Sequence, residues 1–270
     1  MSRKLLLVIG QFLIIWSSFA SDCRQRYHIL SDLDDTIKTY KSKNLKDQIN
    51  EAFIGTTINA GFNNLLLGLV KNSIDTQIEE CSNDLFTILS GAPFFLKKSV
   101  EHLLYEHDFP SADIILRSSV EDLYEYKIKH VKNVSTILNL PMVLVGDDLG
   151  KDPEVYQAFQ LSSPKSVLAI YIHNVDNREV LPGQISYITS FEIAIREYWA
   201  GRLTKDEAVN VGLSVLLAKD DEIIPPYGYC PTTFKLLKNS FPLTTSIKIN
   251  SLSKQIKTRI VFLCNKRYFL

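Results

Sequence analysis

Apolar runs that stop abruptly at polar clusters recur along this chain, and the first stop inside the presumed core is the sharpest. Tyr27, Ile29 and Leu30 read as the end of a buried strand, and the run then meets Asp32, Asp34, Asp35 and Thr36. A second strand is expected over Asp84–Leu89, ending at Ser90-Gly91-Ala92-Pro93, and a third over Asp113–Arg117. Met142 to Val145 is uninterrupted and apolar, as a strand buried on both faces should be. It stops at Gly146-Asp147-Asp148-Leu149-Gly150-Lys151-Asp152-Pro153-Glu154, and a fifth strand is expected over Val167–Ile172. Between these runs the apolar period changes to the helical one. Phe53, Ile54, Ile58, Phe62, Leu65, Leu66, Leu69 and Val70 suggest helix within Lys38–Glu80, and further helices are expected over Lys97–Glu106 and Tyr124–Leu138. Strands alternating with helices predict an α/β fold, a doubly wound parallel sheet. The segment 38–82 reads as a small helical cap inserted after the first strand, within a domain spanning 21–200. Residues 201–270 read as a basic C-terminal extension packed on that domain.

The acidic stops call for a chemical explanation. Burying one unpaired carboxylate costs several kcal/mol or raises its pKa until it is neutral. Three within four residues therefore imply solvent, a cation, or both. In open α/β sheets ligands bind at the carboxyl ends of strands, and Asp32 and Asp34 alternate with Leu33, so both can leave the strand on one side. Turn and N-cap chemistry is the competing reading of Asp-Asp-Thr. A calcium loop is excluded, because the positions that need Gly and Glu hold Ile37 and Lys43.

Composition changes this picture in two places. Ser2-Arg3-Lys4, the apolar run Leu5–Trp16 and Ser18-Phe19-Ala20 have the form of a signal peptide over 1–20, so export to a periplasm or to the medium is expected. An uncleaved anchor is the alternative, although the run is short of the roughly 20 residues that span a bilayer. Export would put Cys23, Cys81, Cys230 and Cys264 in an oxidising compartment, where two disulfides with three connectivities are open. The chain has 30 Lys+Arg and 30 Asp+Glu; without Arg3 and Lys4 the balance is 28 to 30, which argues against a nucleic-acid partner.

Taken in order, the stops form a pattern. Asp-x-Asp-x-Thr after the first strand, Ser-Gly after the second, a helix lysine, then Gly-Asp-x-x-x-x-Asp after the fourth resemble the haloacid-dehalogenase-like phosphohydrolases. The finer spelling is similar to the actin-patch-associated phosphatidate phosphatases and their bacterial relatives. It includes Ser31-Asp-Leu-Asp-Asp-Thr-Ile-Lys38, Leu89-Ser-Gly-Ala-Pro93, Phe109-Pro110 with Leu116-Arg117, the acidic turn through Tyr156, and Ala169-Ile-Tyr-Ile172. The resemblance runs from about Ile29 to Asp176, and more faintly through Ile188 to Leu203.

The resemblance implies a catalytic set of Asp32, Asp34, Thr36, Ser90 and Lys127. Asp32 would be the nucleophile and Asp34 the general acid and base, oriented by Thr36. Ser90 would donate to a phosphoryl oxygen and Lys127 would offset charge, with Lys129 also suiting the spacing. Mg2+ would be held by Asp32, Asp147 and Asp152, with the backbone carbonyl of Asp34. The chain departs from the family at Asp148, where Ser is usual and an extra anion beside the metal turn is expected. It departs again at Phe94-Phe95, where a Trp is common.

Three functions follow as expectations. One is an exported phosphatase acting on a phosphatidate-like lipid, and another a broad phosphomonoesterase for nucleotide or sugar phosphates. The third is a silent binding module on the same fold. The tail bears on the first. From Ile223 to Leu270 there are eight basic residues and no acidic one, which leaves −10 on the rest of the mature chain. Docking on an acidic body is one reading, with Ile247, Ile249, Ile256, Ile260, Val261, Phe262 and Leu263 as core. Peripheral contact with an anionic membrane is the other.

Overall fold

The computed structural model describes residues 26–39, 57–74, 86–118 and 121–269. The expected leader, Cys23, Cys81, Phe53, Ile54 and much of the expected cap insertion lie outside them. The strands are β1 (His28–Ser31), β2 (Lys38–Thr39), β3 (Thr57–Ile58), β4 (Phe86–Pro93), β5 (Ala112–Arg117), β6 (Met142–Asp147), β7 (Val167–His173) and β8 (Ile185–Tyr187). The helices are α1 (Phe62–Ser73), α2 (Lys97–Glu106), α3 (Leu123–Leu138), α4 (Asp152–Ser162), α5 (Ser190–Trp199), α6 (Lys205–Leu217), α7 (Asp220–Ile223) and α8 (Ile247–Phe269).

The central sheet has six parallel strands in the order β5-β4-β1-β6-β7-β8. The chain runs outward from β1 to β5, then returns to β6 on the other side of β1 and runs outward again. The α/β, doubly wound architecture is therefore present, and its order reverses between β1 and β6. That crevice is where such sheets bind ligands, at the carboxyl ends of their strands.

Successive strand residues point to opposite faces, and both faces are dry. Ile29, Ile88, Val143, Val145 and Tyr171 join a core with α1, α2, α5, α6 and α8. Leu30, Leu89, Met142, Leu144, Ile170 and Ile172 join a second core with α3 and α4. The unbroken apolar spelling of β6 follows from this two-sided burial.

Within Lys38–Glu80, Phe62, Leu65, Leu66, Leu69 and Val70 form the buried stripe of α1, as their spacing predicts. Lys38–Thr39 and Thr57–Ile58 differ from the helical expectation, because they pair as an antiparallel ribbon. Threonine and isoleucine suit that pleated backbone better than a helix.

The C-terminal segment joins the first core. Ile249, Leu252, Ile256, Ile260 and Leu263 are buried along one stripe of α8, which packs on α6. Ile247 and Phe262, expected in the core, are 86% and 64% exposed. They lie off that stripe. Three of the basic residues make contacts within the protein. Arg259 donates to the carbonyls of Leu216 and Ala218 and pairs with Asp220, Arg267 donates to those of Ile224 and Gly228, and Lys257 lies over the Phe241 ring. Cys230 and Cys264 form a disulfide. No helix among the described residues is long and apolar enough to cross a membrane.

Candidate active site

Asp32 is the first residue beyond β1, and its N–H still donates to Val145 O at 2.8 Å, which fixes it at the sheet's carboxyl edge. The loop that follows is turned by Asp35 at φ +57°. It is pinned from two distant places. A ring nitrogen of His173 lies 2.5 Å from Asp35 O, and Tyr227 donates to Asp35 Oδ1.

Across the crevice, β6 ends at Asp147. Its Oδ1 accepts from Leu149 N at 2.7 Å and Gly150 N at 3.0 Å, closing the acidic turn. Asp152 begins α4 and folds back over Gly146. A Cβ on Gly146 would stand 2.5 Å from Asp152 Oδ2, so only glycine fits there.

Lys127 reaches in from α3, donating to Asp32 Oδ1 at 2.9 Å and Asp152 Oδ1 at 2.5 Å. Lys129 stands on the surface, its side chain 58% exposed and 3.8 Å from Glu121. Asp32, Asp147, Asp152 and Lys127 are all buried.

Among the described residues these three aspartates form one group that could hold a metal ion, each offering an oxygen within 4.8 Å of the others. Their donors are hard carboxylate oxygens, which suit Mg2+ or another hard divalent cation. The electrostatics point the same way. Burial, Asp152 and Asp32 push Asp147 well above its ordinary range. Burial raises Asp32 to about 7 although Lys127 opposes it. Burial also pulls Lys127 down, but Asp152 and Asp32 outweigh it and hold the ammonium charged. Fully ionised, the three carboxylates would exceed the one ammonium by two negative charges, which a divalent cation would match.

The carboxylate of Asp34 sits apart from that group. Ser90 Oγ donates to its Oδ2 at 3.1 Å, and Lys38 Nζ lies 3.0 Å from its Oδ1. Ser90 comes from β4, just before a register shift between Ser90 and Pro93. Thr36 does not orient Asp34 as expected. Its Oγ1 is buried without a hydrogen-bond partner, and Ser90 and Lys38 hold Asp34 instead.

Asp148 corrects another expectation. Its carboxylate turns from the metal turn to accept from the N–H groups of Val175, Asp176 and Arg178, so it fastens the loop after β7. Lys38, His173 and Tyr227 were not expected at the site. Only Lys38 carries a sequence signal, its four-residue spacing from Asp34. A cavity of about 520 Å³ beside β3 and α6 is lined by none of the residues expected in the site.

Searches of curated proteins and of solved structures found no match. The family described as "Phosphatidate phosphatase APP1, catalytic domain" matches residues 27–174, which contain every carboxylate, lysine and hydroxyl of the site described above apart from the Tyr227 phenol. The chain belongs to the phosphatidate phosphatase APP1 catalytic-domain family, and so to the phosphoric monoester hydrolases.

Proposed function

We propose that this protein is a Mg2+-dependent phosphatase that hydrolyses a phosphatidate-like lipid through an aspartyl-phosphate on Asp32. The observation that carries the reading is the meeting of Asp32, Lys127, Asp147 and Asp152 at the reversal of the sheet, with Asp34 beside Ser90.

In the first step Asp32 attacks phosphorus, a P–O bond to the carboxylate forms, and the bond to the alcohol breaks. Asp34 gives its proton to the departing alkoxide. In the second step a water attacks the aspartyl-phosphate, loses its proton to Asp34 and frees inorganic phosphate from Asp32. Lys127 keeps Asp32 from repelling the anionic phosphoryl group, and Ser90 donates to a phosphoryl oxygen. Mg2+, held by Asp32, Asp147 and Asp152 with the Asp34 carbonyl, would supply charge against the phosphoryl oxygens. Positioning and electrostatics carry most of the acceleration in phosphoryl transfer.

The family and the chemistry of its name support a lipid substrate. The form of residues 1–20 supports export with cleavage before Ser21. Sequencing the N-terminus of secreted protein tests that part.

The function is tested by phosphate release from phosphatidate in detergent micelles and from a soluble phosphate ester, with and without a chelator. Faster release from phosphatidate, abolished by chelation and restored by Mg2+, is the expected result. A higher rate on the soluble ester would make the protein a general phosphomonoesterase. Full activity after exhaustive chelation would remove the metal from the mechanism.

A further inference from the structure

β4 delivers more than Ser90 to the mouth of the site. Four and five residues on, Phe94 and Phe95 stand 59% and 65% exposed in a 3-10 turn that follows the strand. A five-residue span reaches at most about 18 Å, so the pair sits at the carboxyl edge of the sheet with the carboxylates. The two rings meet edge to face, 5.9 Å between centroids. Large apolar side chains exposed singly are ordinary, but two adjacent phenylalanines beside a catalytic cluster form a patch that calls for a partner.

The surroundings of the pair are basic. Lys97 and Lys98, both exposed, open α2 directly behind it. Arg117 is level with Pro93 on the neighbouring strand. No acidic residue lies between Ser90 and Val100.

We propose that Phe94 and Phe95 dock the protein on an anionic bilayer, with the rings in the acyl boundary and Lys97 and Lys98 at the headgroups. This rests on the lipid-phosphatase reading and adds the surface that presents the substrate. Aromatic rings backed by lysines are the combination that holds peripheral elements at such an interface. The placement also has a mechanistic consequence, since a phosphomonoester headgroup beside the turn is one short strand end from Ser90 and Asp32. The tail offers less, because Lys257, Arg259 and Arg267 are spent on contacts within the protein.

The test uses the full chain and vesicles of phosphatidate in phosphatidylcholine, with pure phosphatidylcholine as the neutral control. Four proteins are compared: wild type, F94S/F95S, K97Q/K98Q and K254Q/K266Q. Sedimented protein, phosphate release from the vesicles, and release from soluble p-nitrophenyl phosphate are measured. F94S/F95S is expected to lose about tenfold or more in vesicle binding and in vesicle hydrolysis while the soluble ester reacts at the wild-type rate. K97Q/K98Q is expected to weaken binding to anionic vesicles and lose its salt dependence. Wild-type binding by F94S/F95S would overturn the proposal, as would a loss confined to K254Q/K266Q. No vesicle binding by the wild type would also overturn it and leave the pair as a surface for a protein. Failure of the lipid reading itself looks different, because phosphatidate in detergent micelles would then release phosphate more slowly than the soluble ester or not at all.

Discussion

In the proposed mechanism Asp32 carries two requirements that pull against each other, since a nucleophile must be charged and a buried carboxylate resists charge. Lys127 at 2.9 Å reconciles them. Asp32→Asn removes the charge and keeps the shape. Turnover is expected to fall more than a hundredfold (a rough floor) with the circular dichroism spectrum unchanged. A variant that kept a tenth of the rate would exclude the covalent route. Lys127→Met does the reverse, leaving Asp32 and Asp152 buried beside a thioether. Breaking a buried pair from one side costs about 3–5 kcal/mol, so urea unfolding at neutral pH is expected to show a loss of that size along with the loss of activity. An unchanged midpoint would mean that the ammonium does not hold the site together. Asp32, Ser90, Asp147 and Asp152 are legible in the sequence because each stands at or just past the end of an apolar run, whereas the spacing suits Lys127 and Lys129 alike and only the fold buries Lys127. Tyr227 and His173 are not legible, for they reach Asp35 from 192 and 138 positions away, and no local pattern records such a meeting.

At the scale of elements, β1 is short, central and buried along its whole length. Its first residue is His28, 1% exposed, with Nε2 2.9 Å from the Thr87 hydroxyl. Burial lowers its pKa from 6.5 to about 4. The unfolded chain therefore takes up a proton below pH 6.5 that the native strand refuses. Stability from this group is intact above 6.5 and declines as the pH falls toward 4, by on the order of 3 kcal/mol. His28→Gln keeps a partner for Thr87 without the titration. Its urea midpoint is expected to drop less than the wild type's between pH 7 and pH 4.5, and equal drops would assign the acid sensitivity elsewhere. The long strands are readable from sequence because two-sided burial writes them in unbroken apolar letters. β8 has only three residues, and the ribbon of β2 and β3 has two in each strand. Elements that short are set by what they pair with. Residue type alone misplaces part of α8, since Ile247 and Phe262 are apolar but lie off the core stripe.

At the scale of the molecule, the family segment and the tail share one hydrophobic core. The matched segment, residues 27–174, supplies the carboxylates. Ile223, Ile224, Leu237, Phe241 and the stripe of α8 close the same face of the sheet. The disulfide between Cys230 and Cys264 closes a loop of 34 residues, worth about 3–4 kcal/mol in the chain-entropy account. The Tyr227 contact then has a consequence for the order of events in folding. β1 cannot be completed until β4 and β6 have arrived on either side of it, and the turn that follows β1 waits longer still for a phenol 192 positions downstream. Contacts of such long sequence separation form late and slowly. Refolding followed by far-ultraviolet circular dichroism and by phosphatase activity is therefore expected to give two different time courses, with helix signal first and turnover last. Tyr227→Phe should leave the first course unchanged and alter the second. If signal and activity returned together, the phenol would be a bystander; if not, this enzyme is silent until nearly all of its chain is in place.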